Sequence, residues 1–67
     1  MIADADIWRT ANLFVNQHGE DAVLRAAERA DAMIAAADVD GYLVWLAIVQ
    51  AINELRRNPR SEGDTVN

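Results

Sequence analysis

The chain has no cysteine, one proline, three glycines and a single histidine in 67 residues. Without cysteine there is no disulfide to staple the fold, no thiol nucleophile and no thiolate metal cage. The glycines, Gly19, Gly41 and Gly63, are isolated, so no glycine-rich phosphate loop exists. Positive charge is scarce as well. Six arginines face 11 acidic residues, a formal net charge of −5. Binders of nucleic acid present a basic face that neutralises phosphates. The balance here argues against DNA, RNA or anionic lipid as a partner. Long apolar runs are missing too. The longest stretch without a charge, Gly41 to Asn53, is broken by Gln50. A bilayer crossing needs about 20 apolar residues, so no membrane helix is expected. The opening MIADADIW lacks the basic and apolar regions of a signal peptide, which makes the cytoplasm the expected location.

What is present is helical periodicity. Ile7, Trp8, Ala11, Phe14, Val15 and His18 recur at spacings of three and four, which predicts a first helix over about 5–18. Asp4 or Asp6 is placed to cap it. Gly19 suits the left-handed residue that ends a helix. A second helix is predicted over 20–36, with Val23, Ala27, Ala30, Ile34 and Ala37 inward and Ala26 and Met33 beside them. Glu20 and Asp21 favour the positive end of its dipole. On its outer side Arg25 is in range of both Asp21 and Glu28. "ADVDGY", residues 37–42, is a second corner, where Asp38 or Asp40 caps a third helix over about 40–57. Trp45, Ile48, Ile52 and Leu55 form its best stripe. Asn58-Pro59 stops it, because proline disfavours helix in the residue before it. The remainder, 59–67, has no periodicity and reads as a disordered tail.

The expected architecture is therefore all-α: a compact three-helix bundle-like domain, residues 1–58, with short connections. The expected core is Ile7, Trp8, Ala11, Phe14, Val23, Ala27, Ala30, Ile34, Trp45, Ile48, Ile52 and Leu55. Such a core is small. A chain of this length buries only about 60% of its unfolded surface.

The chemistry-bearing residues do not assemble into a site. His18, Glu20 and Asp21 are the one candidate for small-molecule or metal binding. They lie across a helix break, and no second histidine completes a zinc set. A histidine at the negative end of one dipole and acids at the positive end of the next explain them as a corner. Asp4 with Asp6, and Asp38 with Asp40, read as caps rather than acid–base pairs. Thr10, Tyr42, Ser61 and Thr65 lack a nucleophile elbow or oxyanion hole. No cofactor and no enzymatic activity are expected. Arg56, Arg57 and Arg60 read as a solvated helix end. A helix-turn-helix reading fails because "GYLVWLAIVQ" is apolar where a recognition helix would be polar and basic.

The third helix is more than a stripe. Leu43, Val44, Leu46, Ala47, Val49 and Ala51 spread apolar groups almost around its first three turns. A helix apolar all round must be buried all round. Two neighbouring helices leave a side open, so Leu43, Leu46, Ala47 and Gln50 are the expected interface. A homodimer is the main expectation, with another protein as the less favoured partner. A monomeric structural domain with no ligand is the alternative.

The segment "DIWRTANLFVNQHGEDAVLRAAERADAMIAAADVDGYLVWLAIVQAINEL" also resembles a family of small alphaproteobacterial all-helical proteins, a domain of unknown function. Asp6-Ile7-Trp8-Arg9, Ala11-Asn12, His18 to Ala22, Ala30-Asp31, Asp38 to Gly41 and Trp45 carry the resemblance, across residues 6–57. It implies an all-helical fold and the bacterial cytosol, and no activity. It also suggests that Trp8, His18 and Trp45 meet where the first helix crosses the third, with Arg9 and Asn12 facing the corner acids.

Overall fold

The computed structural model describes residues 4–57. It is all-α. Helix α1 spans Asp4–His18, α2 spans Ala22–Ala35 and α3 spans Val39–Arg57. Asp4 and Asp6 occupy the first turn of α1 and His18 its last, each sign at the dipole end that favours it. Asp6 is not the cap expected of it. The helix already includes Asp4, and the Asp6 carboxylate instead accepts from Arg9 at 2.7 Å. The expected tail at 59–67 lies outside the described residues.

The first corner is Gly19–Asp21, a single tight turn that leads directly into α2. Gly19 adopts φ +57°, and no neighbour stands within 4 Å of where a side chain would begin. Its absent Cβ therefore matters for backbone freedom alone. The second helix starts at Ala22 rather than at Glu20, because the chain spends Gly19, Glu20 and Asp21 on changing direction. No side-chain cap forms at Asp21.

The second corner has no glycine at its left-handed residue. Ala37 takes φ +61°. Its N–H donates to the Ile34 carbonyl at 3.0 Å, and the Asp38 N–H donates to the Met33 carbonyl at 2.8 Å. This pair is the Schellman arrangement, which satisfies carbonyls that the end of α2 leaves open. Ala37, expected on the inner stripe of α2, is thus outside the helix. Asp38 then starts α3, its Oδ1 accepting from the Gly41 N–H at 2.9 Å. Of the two candidate caps it is Asp38 that works. Asp40 lies inside α3, which begins at Val39.

Helices α2 and α3 run antiparallel. Met33 Sδ lies 2.7 Å from where a Cβ on Gly41 would stand. Arg29 sits over Trp45, and Arg56 reaches the Glu20 carbonyl at 3.3 Å. In each pair a residue later in α3 meets one earlier in the preceding segment. Helix α1 packs across the same α3. Its contact with α2 is slight by comparison, so α3 is the central helix.

The core where these helices meet is built of small residues. Among the described residues, five of the eight that are buried are alanine: Ala11, Ala22, Ala26, Ala30 and Ala51. Phe14, Ile48 and Ile52 supply the bulk. Ile7, Val15, Val23, Val44, Trp45, Val49 and Leu55 pack partly buried around them. The inner stripe of α2 is rotated from the expected one. Ala22, Ala26 and Ala30 face inward, with Val23, Ala27 and Met33 at the flanks. Ile34, expected in the core, is 47% exposed, and so is Trp8 at 42%. The physical reason is close approach. Alanines between α2 and α3 bring the two backbones together, and larger side chains are displaced to the edges.

Candidate interaction surface

His18 does not gather the corner acids around it. Its ring packs on Phe14, one turn earlier, with centroids 5.1 Å apart. Phe14 in turn meets Trp45 edge-on at 5.3 Å. The Arg29 guanidinium stands over Trp45, 5.6 Å from the ring centroid, within cation–π range. Half-buried His18 therefore ends a row of aromatic contacts that ties α1 to α3. Glu20 and Asp21 are exposed. Among the described residues no three His, Asp or Glu side chains converge to hold a metal. None of the described polar or charged residues is buried.

Trp8 does not join that row. It lies on another side of α1, at the edge of an open groove of about 240 Å³. The groove is lined by Asp4, Ile7 and Trp8 from α1 and by Ala47, Gln50, Ala51 and Glu54 from α3. Arg9 and Asn12 also stay local. Arg9 pairs with Asp6, and the Asn12 amide donates to the Trp8 carbonyl at 3.0 Å. The remaining ion pairs, Arg25–Glu28 and Arg57–Glu54, are exposed pairs three residues apart. Asp21 does not share Arg25.

The four expected interface residues divide into two settings. Leu43 is 55% exposed and Gln50 is exposed, while Leu46 and Ala47 are partly covered. From Val44 to Val49 no residue is fully exposed. Helices α1 and α2 therefore cover more of the apolar girdle than the sequence suggests. What remains open is a narrower ridge: Val39, 56% exposed, then Leu43, with the partly covered Leu46 continuing it, spaced by four and three. On a helix this spacing is one face, and it points away from Ile48 and Ile52. The ridge gives way to Gln50, Asn53 and Arg57 lower on the same face.

The groove was not legible in the sequence. Trp8 and Ala47 are 39 positions apart, and only the packing of α1 on α3 brings them together. No helix of the described residues is long and apolar enough to cross a membrane. No protein-family model, curated protein or solved structure matches the chain.

Proposed function

We propose that this chain is a small protein–protein interaction module that self-associates through the outer side of α3, and that it acts by helix-on-helix burial rather than by catalysis. The observation that carries the reading is the ridge of Val39 and Leu43, both more than half exposed, with the partly covered Leu46 beside them, on a domain whose core is built largely of alanine. Apolar surface concentrated on one face gains most from a second helix laid against it. The surroundings of His18 favour this over a ligand-binding corner, since His18 turns to Phe14 and the acids turn to solvent. The resemblance to small alphaproteobacterial proteins adds the bacterial cytoplasm to the proposal.

Light scattering on a size-exclusion column tests it, across a roughly hundredfold range of concentration, because association follows mass action. A wild-type dimer that Leu46→Glu dissociates is expected. A wild-type monomer throughout, with Leu46→Glu indistinguishable from it, would remove self-association.

A further inference from the structure

The ridge and the groove lie on the same helix, and together they specify how a second copy docks; this step rests on the self-association proposed above. The ridge occupies the first half of α3, at Val39, Leu43 and Leu46. The groove occupies the second half, lined by Ala47, Gln50 and Ala51 with Ile7 and Trp8 across from them, and with the carboxylates of Asp4 and Glu54 as its charged residues. Their centres are about eight residues apart, or roughly 12 Å at the rise of a helix. We propose that two copies pair with their α3 helices antiparallel, about a twofold axis near Leu46 and Ala47, each ridge seated in the groove of the other.

Three observations favour this occupant and this register. First, a twofold axis midway between the two features exchanges them. One operation covers both ridges and fills both grooves, and the contact closes without leaving a sticky end. Ridge against ridge would instead leave both grooves empty. Second, Ala47 and Ala51 present a floor of small side chains, which lets a leucine of the partner approach closely. Trp8, already fixed on α1 but 42% exposed, is the sort of aromatic wall that anchors an interface. Third, the first and last turns of α3 carry opposite charge, which favours this direction over a parallel one. Helix α3 begins with Asp40 in its first turn and ends with Arg56 and Arg57 in its last. Antiparallel pairing points each acidic end toward the partner's basic end, whereas parallel pairing sets acid against acid. The gain is modest, because Arg57 already pairs with Glu54 and Arg56 already donates to the Glu20 carbonyl.

The absence of cysteine makes the register directly readable, since every introduced thiol is unique. Leu43→Cys and Gln50→Cys proteins are mixed under mild oxidation, and Leu43→Cys is oxidised alone. A disulfide needs Cα atoms within about 7 Å, so it reports facing positions. The expected product is a crossed link between positions 43 and 50, with little link of 43 to itself. Trp8→Ala is expected to weaken the dimer by about tenfold or more, as loss of an aromatic anchor does, while Leu24→Ala on exposed α2 leaves it unchanged. A dimer linked 43 to 43, or one indifferent to Trp8→Ala, would overturn the register and leave self-association standing. A monomer at every concentration would overturn both. A monomer whose tryptophan emission shifts on adding a basic amphipathic peptide would give the groove to that class of partner instead.

Discussion

Over the first half of α3 both faces are apolar, yet they stand in opposite circumstances. Inward lie Ile48, Ala51 and Ile52, each at most 4% exposed. Outward lie Val39 and Leu43, both more than half exposed, with Leu46 between them and the polar end of the helix. Hydropathy alone does not separate the faces, because a leucine is equally apolar on either. What separates them is which neighbours the chain can place. Two short connections bring α1 and α2 to one side of α3, and the described residues hold no further helix for the other.

The largest expected effect tests the inner face. Ile52→Ala removes a fully buried branched side chain and leaves a cavity, a loss of about 2–5 kcal/mol. Small single-core domains rarely hold more than about 3–5 kcal/mol in total. Urea unfolding followed by circular dichroism should therefore find Ile52→Ala largely unfolded at room temperature. Leu43→Ala, at a concentration where the protein is monomeric, should stay within about 0.5 kcal/mol of wild type. Equal losses at the two positions would end the distinction between the faces.

The next effect tests why the inner face is so close. Ala26 is completely buried where α2 meets α3. Ala26→Leu forces bulk into that contact and should destabilise by about 1–3 kcal/mol. Ala32→Leu, on the exposed side of the same helix, should change stability by no more than about 0.5 kcal/mol. If thermal melts show Ala26→Leu to be harmless, then the alanine row is not what sets the separation of the helices.

That alanine row also marks where the sequence stops being legible. Helix periodicity, Gly19 and Asp38 locate three helices to within a few residues, because caps and left-handed residues act locally. The ridge is legible for the same reason, as it lies on one helix. The rotation of α2 is not. Ranking its positions by size favours Val23 and Ile34, yet the interior is decided by backbone approach, which rewards Ala22 and Ala26. Trp8 fails in the same way. A large aromatic on an amphipathic helix reads as core, but α1 meets α3 through Ala11 and Phe14, and Trp8 is left at a groove edge. The groove depends on how two distant segments pack, which no local pattern encodes.

A smaller effect concerns the residue that fixes where α3 begins. Asp38 serves both helices at the second corner: its N–H closes the end of α2 and its carboxylate caps α3. Asp38→Ala keeps the first contact and removes the second. The expected loss is about 1 kcal/mol, or roughly 4–8 °C in melting temperature for a domain of this size. Asp40→Ala, inside the helix, should move it far less. Equal shifts would mean that the acids act only through the helix dipole, and not through the hydrogen bond to Gly41.

The smallest expected effect is a gain. Gly19 and Ala37 hold nearly the same left-handed backbone, at φ +57° and φ +61°. Only one of them has the residue suited to it. An L side chain in that conformation costs about 1–2 kcal/mol, while glycine costs about 0.5–1 kcal/mol through the freedom it adds to the unfolded chain. Ala37→Gly should therefore stabilise by about 0.5–1 kcal/mol, once the two terms are set against each other. Gly19→Ala should destabilise by a comparable amount. Nothing crowds its missing Cβ, so that loss would be purely conformational. The double variant should return close to the wild-type melting temperature, since the corners share no contacts and distant effects add. A stabilised Gly19→Ala would mean that the first corner is not left-handed. A destabilised Ala37→Gly would mean that the Ala37 methyl contributes contacts outweighing its strain.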